Sequence, residues 1–300
     1  MSARSGSVSP ASATAARPVN AWLQLAPLTL VLLLFVAAPL LFVLVVSFFR
    51  TDGFVIEPAL SGENYLSVLG SSLTLQLYAH MALYALLTWA ITLVLGFFLA
   101  YFLVFHVRNR TIAIGLFLVC TVPFWTSNVI RMISWLPMLG EHGVVNAVLM
   151  ACGLIREPLR FLLYSDFAVV LAYVHLFTIF MIVPIFNAMS RIDRNLFEAA
   201  IDAGAGRLHT LWRVVVPLCR SGIALGSIFV VTLVMGDFYV VKVMSGGSSA
   251  SVVSAMYDDV STLLFPHASA SAVVLLVVLT ALVALAGRFI DVRNELVKNR

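Results

Sequence analysis

The chain alternates long apolar runs with short polar stretches along nearly its whole length. Each long run can cross the hydrocarbon core of a bilayer, which takes about 20 apolar residues in a helix. A shorter apolar piece at 144–155 cannot span and is predicted to lie in a loop. The pattern predicts an all-α polytopic membrane protein with six transmembrane helices, at 22–49, 73–105, 111–135, 167–189, 223–244 and 268–290.

The two ends of the chain depart from this pattern. Residues 1–20 are rich in serine and alanine and predict a disordered tail, whereas residues 291–300 form a short charged tail. Between them, residues 21–290 are interpreted as one transmembrane domain without internal repeats. Because the first apolar run is longer than the core of a cleaved secretory signal, it is interpreted as a signal anchor.

The composition excludes several classes of function. Hydrophobic residues make up 62% of the chain, charged residues make up 11%, and the mean hydropathy is +1.05, which excludes a soluble globular domain. The net charge of +4 comes without a basic stripe interleaved with aromatic residues, so no nucleic-acid partner is expected. The chain contains no G-x-x-x-x-G-K-[ST] loop and no histidine spacing typical of metal ligands. We therefore expect no cofactor and no metal on this chain.

The positive charges orient the predicted helices. Of the 18 Lys and Arg residues, 13 lie at the two termini and in the polar stretches 106–110 and 190–222, if Arg288 at the end of the last predicted helix is counted with the C-terminus. The loops of the opposite side hold three, and two more fall in or near spans. By the positive-inside rule, both termini and the stretch 190–222 are predicted to be cytoplasmic.

The polar stretch 190–222 contains the segment EAAIDAGAGRLHTLWRVVVPL. Good helix formers follow Asn195, and the acidic side chain of Glu198 near their start suits the helix dipole. Gly204 and Gly206 then predict a break, because residues with a Cβ resist the conformations that such a break requires.

A second short helix is predicted after this break. Leu208, Leu211 and Trp212 recur at helical spacing and give it an apolar face. Pro217 falls at a point suited to the first turn of the next helix, where its missing N–H is harmless. Two interpretations follow: a solvated amphipathic connector between spans, or a compact protrusion that docks on a partner.

The spacing of this segment favours the docking interpretation. The set Glu198-Ala199-Ala200, Gly204 and Pro217 resembles the EAA loop of the membrane subunits of bacterial ATP-binding-cassette (ABC) importers. The resemblance implies a type I importer permease of the MetI-like fold, whose loop docks on a separate cytoplasmic ATPase that binds ATP and Mg. The coupling residues that it implies are Glu198, Ala199, Ala200, Asp202, Gly204, Ala205, Leu208, Leu211, Trp212 and Pro217.

A second group of segments resembles the permeases of spermidine/putrescine importers. They are VPFWTSNVIRMISW at 122–135, GVVN at 143–146, Pro184, and GDFYVVKVMSGG at 236–247. Two departures concern local helix geometry: Ser221 replaces a second proline of the loop, and the fourth helix has one proline where relatives often have two.

This second resemblance implies import of a polyamine across a bacterial inner membrane. It also implies an ATPase dimer, a second permease subunit expected to be a different chain, and a periplasmic solute-binding protein. Other small solutes, such as an amino-acid derivative, an opine or a phosphonate, stay open. An ion-coupled secondary transporter would want an intramembrane carboxylate in each half, and Asp237 has no counterpart in the first half. A membrane scaffold would leave both Asp237 and the EAA spacing unexplained.

Five residues are candidates for the solute pathway: Asp237, Tyr239, Trp125, Arg131 and Trp135. Asp237, predicted inside the fifth helix beside aromatic residues, suits an ammonium group by charge and by cation–π contact. The alternative is that it pairs with Lys242 or Arg131 and fixes helix packing.

The other candidates also have structural interpretations. Arg131 can line the cavity or reach the membrane interface between tryptophans, and Trp125 can anchor at that interface or form a cavity wall. Lys242 would repel a dication unless a carboxylate neutralises it. Gly222, Gly226 and Gly236 predict a close packing face, with the second permease subunit as one possible partner.

Overall fold

The structure, a computed structural model, describes residues 21–52, 55–107, 109–193, 195–196, 200, 202 and 204–288. Both predicted tails, at 1–20 and 291–300, lie outside these described residues. Two predicted coupling residues, Glu198 and Ala199, lie outside them as well.

The N-terminal half contains the first two membrane helices. The first begins as α1 (Ala21–Leu32), passes through a π-helical turn (Leu33–Ala37) and continues as α2 (Ala38–Val46). A two-stranded antiparallel ribbon follows, in which β1 (Arg50–Asp52) pairs with β2 (Val55–Glu57), at a place where the sequence predicted only a polar loop. Next come α3 (Glu63–Gly70), α4 (Ser72–Tyr101) and a π-helical turn (Phe102–His106).

The middle of the chain is more broken. Helix α5 (Arg110–Thr121) and a 3-10 turn (Val122–Trp125) lead into three short helices, α6 (Asn128–Ile133), α7 (Leu136–Leu139) and α8 (Val144–Ala151). A second 3-10 turn (Arg160–Leu162) precedes the long helix α9 (Asp166–Met189). The hydroxyl of Ser165 caps α9 by accepting from the N–H of Ala168 at 3.2 Å.

The C-terminal part begins with one short helical segment, made of α10 (Arg207–Thr210), a π-helical turn (Leu211–Val215) and α11 (Val216–Leu218). Four further helices follow: α12 (Arg220–Met235), α13 (Tyr239–Met244), α14 (Val252–Ser261) and α15 (Phe265–Gly287).

By length and composition, four helices of the described part can cross a membrane alone: Leu25–Val46, Ser72–His106, Asp166–Met189 and Phe265–Gly287. Two further pairs of helices meet the same test only together, and each pair is bent at a short break. The pairs are Thr111–Trp125 with Asn128–Ala151, bent by 92°, and Leu208–Leu218 with Arg220–Met235, bent by 69°. Counting each bent pair as one span gives up to six spans, in agreement with the predicted fold class.

Two helices that were predicted to be continuous are interrupted. The prediction of a helix over 111–135 is wrong beyond Trp125, because Thr126 has extended backbone and Ser127 is not helical before α6 restarts in a new direction. Pro123 lies at the start of the preceding 3-10 turn, and its missing N–H weakens the helix there. The prediction of a helix over 223–244 is also wrong, because α12 ends at Met235 and α13 begins only at Tyr239.

Helices α4, α9 and α12 pack against one another and form the centre of the core. Gly222 and Gly226 of α12 allow this close approach. A Cβ on Gly222 would lie 2.5 Å from the carbonyl oxygen of Pro184, and a Cβ on Gly226 would lie 2.6 Å from Sδ of Met181. The packing face predicted at these glycines is therefore formed within the chain, against α9, which stays helical through Pro184.

Candidate functional site

We call the polar stretch 190–222 the coupling segment. Its predicted break is present at Gly204. This residue has a φ of +82°, a left-handed conformation that favours glycine. The N–H of Ala205 donates to the carbonyl oxygen of Ala200 at 3.0 Å, which is the bond that closes a helix ending in a left-handed residue. Asp202, between them, is exposed.

The helical segment after the break has two different faces. Thr210 and Val215 are fully buried in the chain, whereas Leu208 and Trp212 are 74% and 64% exposed. The exposed pair is four residues apart, so both side chains lie on one side of the helix. Leu211 lies between these faces and packs against the core. The segment is anchored on one face and presents large apolar groups on the other.

Pro217 lies in the first turn of the short helix α11 and is exposed. The next membrane helix begins only at Arg220, after the 69° bend. The prediction that Pro217 lies in the first turn of the next membrane helix is wrong, because Pro217 lies near the end of the continuous helical segment 207–218 and the membrane helix begins only after the bend.

Asp237 lies in the gap between α12 and α13, not inside a continuous helix as predicted. Its Oδ1 accepts a hydrogen bond from the N–H of Val240 at 2.8 Å and another from the hydroxyl of Tyr173 at 3.3 Å. The first bond satisfies a free N–H in the first turn of α13, and the second joins the gap to α9. Asp237 is half-buried, so its carboxylate is held by neutral donors at the edge of the core.

The ion pair that was the alternative role for Asp237 is not formed. Neither Lys242 nor Arg131, both within the described residues, pairs with its carboxylate. The ammonium of Lys242 instead lies 4.6 Å from the ring centroid of Tyr257 and 3.9 Å from Oδ1 of Asp258.

Two further aromatic rings are linked to the tyrosine of this ammonium contact, one directly and one through the first. Phe238 stacks on Tyr257 with ring centroids 5.1 Å apart and an interplanar angle of 14°. Tyr239 meets Phe238 edge to face at 6.2 Å. The sequence alone does not show that Tyr257 lies beside Phe238 and Lys242, because Tyr257 is on a different helix, beyond a loop of small residues.

Arg131 is buried in α6, with only 7% of its surface exposed. One terminal nitrogen donates to the side-chain oxygen of Asn128. The other terminal nitrogen and Nε are buried and have no hydrogen-bond partner among the described residues. The interpretation in which Arg131 reaches the membrane interface is wrong, because its guanidinium points into the protein.

The two tryptophans of this region differ in their surroundings. Trp135 is half-buried, and its Nε1 donates to Nδ1 of His175 on α9 at 2.9 Å. Trp125 ends the 3-10 turn and is 85% exposed. The structure thus brings Asp237 and Trp135 each into contact with α9, through Tyr173 and His175, but it does not join Trp125 or Arg131 to Asp237.

A polar cluster that the sequence did not predict ties three elements together. Oδ1 of Asp166, at the start of α9, accepts from the hydroxyl of Tyr84 on α4 at 2.6 Å and from Ser249 at 2.5 Å. Ser249 belongs to the loop after α13, so this loop is bonded to α9 directly and linked to α4 through the shared carboxylate of Asp166. The sequence signal was the pair of Ser165 and Asp166 at a helix start, which indicates a helix cap but not its distant partners.

No family model matches the chain. Over 272 residues it is 30% identical to the spermidine/putrescine transport system permease protein PotB of Escherichia coli (strain K12), a match that covers 88% of this chain and 97% of that protein. It is 34% identical over 217 residues to the protein of the same name from Haemophilus influenzae, covering 72% of this chain and 74% of that one.

The fold is also similar to that of a solved structure. It matches a chain from the crystal structure of a bacterial ABC transporter involved in the import of the acidic polysaccharide alginate, with a TM-score of 0.71. The two sequences are 17% identical, and the match covers 89% of this chain and 93% of that chain. At this identity the likeness establishes the fold alone.

These matches confirm the resemblance drawn from the sequence, including the fold of a type I ABC importer permease. Proteins of this kind are transport subunits of the inner membrane and not enzymes. The relatives at 30% and 34% identity and the shared fold show that this chain belongs to the family of spermidine/putrescine-type permease subunits of ABC importers.

Proposed function

We propose that this permease moves a polyamine, spermidine or putrescine, from the periplasm to the cytoplasm. The observation that carries the proposal is the likeness to two permeases of spermidine/putrescine systems over most of the chain. The carboxylate of Asp237 beside Phe238 and Tyr173 supports it, because a carboxylate flanked by aromatic rings suits an ammonium group. Asp237, Tyr239 and Trp135 then form part of the pathway wall, with Trp125 and Arg131 nearer its edge.

In this proposal the segment 190–222 couples the permease to its ATPase. Both termini and this segment face the cytoplasm, as the distribution of Lys and Arg supports. Leu208 and Trp212 dock on the ATPase, and the bend at Gly204 sets the angle of the docked helix. ATP and Mg bind to the ATPase dimer, whose closure rocks the permease against a second, different permease subunit. The cavity then opens outward to the solute-binding protein.

The domain limits belong to the same proposal. Residues 21–290 form the transmembrane domain, and the segments 1–20 and 291–300 are cytoplasmic tails. The lipid bilayer covers the many large apolar side chains that the described helices expose, such as those of Phe35, Phe42 and Phe98.

One observation favours a second class of solute. Arg131 is a buried cation with two nitrogens that have no partner among the described residues, and such a group suits an anion. A zwitterionic solute, such as an amino-acid derivative, an opine or an aminophosphonate, would offer an acid to Arg131 and an ammonium to Asp237.

Uptake by the complete importer tests the proposal. We expect labelled spermidine to enter, with putrescine as a competitor and 2-aminoethylphosphonate without effect. Asp237→Asn keeps a side-chain oxygen for Val240 and Tyr173, so the complex should assemble while uptake falls about tenfold or more, as expected for a lost charged contact. Glu157→Gln, an exposed acid elsewhere, is the matched control. Uptake of labelled 2-aminoethylphosphonate by an importer that does not take up labelled spermidine would overturn the polyamine proposal in favour of the second class.

A further inference from the structure

We propose that Phe238, Tyr257 and Asp258 form an ammonium-binding subsite, which the side chain of Lys242 occupies in this structure. A primary ammonium of the solute takes the place of Lys242 during transport. This inference rests on the proposed polyamine function and deepens it by assigning a second group of residues beside Asp237.

The contacts of Lys242 are those that any primary ammonium would make. Its Nζ lies 4.6 Å from the ring centroid of Tyr257, inside the distance of about 6 Å at which a cation is attracted to an aromatic face. It also lies 3.9 Å from Oδ1 of Asp258. A lysine side chain and an aminoalkyl chain end in the same group, so the pocket that fits one fits the other.

The rings of this subsite are held before any solute arrives. Phe238 stacks on Tyr257, with a distance of 5.1 Å between ring centroids and an angle of 14° between ring planes. This contact fixes the position of the tyrosine ring. Phe238 directly precedes α13 and Lys242 lies four residues later in that helix, so both reach the same ring on α14. The ring pair therefore does not depend on Lys242 for its position.

The lysine can leave this pocket at small cost. The side chain of Lys242 is 52% exposed and that of Asp258 is 72% exposed, so water competes for both charges. The neighbouring acid cannot take over the role of Asp258, because Oδ2 of Asp259 lies 2.8 Å from Nδ1 of His267. Asp258 is thus the carboxylate at this pocket that an arriving ammonium can share with Lys242.

The subsite adjoins the gap that contains Asp237. Phe238 follows Asp237 directly, and the hydroxyl of Ser251, just before α14, donates to the backbone oxygen of Asp237 at 3.4 Å. An extended molecule with several ammonium groups could engage the ring pair and the Asp237 carboxylate in turn. This arrangement also explains why a cation importer carries a lysine here: the lysine holds the pocket until a solute displaces it.

Equilibrium binding of labelled spermidine to the purified permease–ATPase complex, without the solute-binding protein, tests the inference. Lys242→Gln removes the competing ammonium, so we expect spermidine to bind about two- to fivefold more tightly, the range that a surface cation–π contact supports. Lys242→Arg keeps the competing charge and should bind as the wild type does.

Further variants test whether the ring is responsible. In the Lys242→Gln background, Tyr257→Leu should cancel the gain, whereas Tyr257→Phe should keep most of it because the aromatic face remains. The phenylalanine variant also controls for folding. Unchanged or weaker binding by Lys242→Gln, or a gain that survives Tyr257→Leu, would overturn the subsite.

Uptake by the wild-type importer separates the two levels of the proposal. A wild type that imports spermidine, combined with a Lys242→Gln variant that binds it no better, overturns the subsite alone. A wild type that neither binds nor imports spermidine overturns the proposed function and the subsite with it. Loss of import of an anionic solute in Lys242→Gln would instead make Lys242 a direct ligand of that anion.

Discussion

Two polar stretches interrupt this membrane domain: the coupling segment at 190–222 and the gap at 236–238. Their side chains point in opposite directions. In the coupling segment, the large apolar side chains of Leu208 and Trp212 point away from the protein. In the gap, the carboxylate of Asp237 is bonded inward, to Tyr173 and to the backbone of Val240. The coupling segment therefore has large apolar side chains that are mostly exposed, whereas the gap uses its carboxylate for contacts within the chain. This difference supports the two roles proposed above, a docking surface for the coupling segment and a part of the pathway wall for the gap.

The largest effect is expected at the bend of the coupling segment. Gly204→Val places a β-branched residue at a φ of +82°, a conformation that such residues avoid, at a cost of about 1–3 kcal/mol. We expect the chain to insert normally while uptake falls about tenfold or more, because the docked helix loses its angle. Uptake by the reconstituted importer and the amount of inserted chain measure this.

The matched control for that variant is Gly206→Val. Gly206 does not have a positive φ, and a Cβ there would meet nothing within 4 Å. Its uptake should stay close to that of the wild type. Equal losses in both variants would mean that the left-handed bend has no special role.

A smaller effect separates the two faces of the coupling helix. Trp212→Ala removes an exposed ring and should weaken ATPase binding by about 2 kcal/mol, as for a typical interface hot spot, while thermal stability of the permease stays unchanged. Val215→Ala, in the buried face, should lower stability by about 1–2 kcal/mol and leave ATPase affinity intact. If Val215→Ala weakened ATPase binding more than Trp212→Ala, our assignment of the two faces would be wrong.

The smallest effect is expected in the gap. Tyr173→Phe removes the hydroxyl that reaches Asp237 over 3.3 Å, a long bond worth about 0.5–1 kcal/mol. Uptake should fall less than fivefold, because the bond from Val240 at 2.8 Å still holds the carboxylate. A loss as large as that of Asp237→Asn would contradict this, because it would show that the tyrosine hydroxyl matters as much as the carboxylate.

How far the sequence predicted this structure depends on the kind of signal. Hydropathy located the long helices well, since α9 covers 166–189 against a predicted 167–189. It missed the interruptions at 126–127 and 236–238, because these short polar sites lie between strongly apolar neighbours and a hydropathy window averages them out. The Gly-Asp pair before Phe238 was an available signal, typical of a helix stop followed by a cap.

The candidate sites divide in the same way. The left-handed bend at Gly204 could be predicted, because residue spacing and the conformational freedom of glycine are properties of the local sequence. The partners of Asp166, Asp237 and Lys242 could not be predicted, because they lie on helices that only packing brings together. Charge alone suggested Lys242 as a partner for Asp237, but the ammonium prefers Tyr257 and Asp258.

The central claim is that the coupling segment faces the cytoplasm and docks on an ATPase. The most direct test is to determine from which side of the membrane position 213 can be reached. A cysteine placed there, in a chain whose three native cysteines are replaced, can be labelled with a membrane-impermeant maleimide. We predict that the maleimide labels this cysteine in inverted membrane vesicles and that bound ATPase protects it from labelling. We predict no labelling in cells in which only the outer membrane is permeabilised. Labelling only from the periplasmic side would contradict the account.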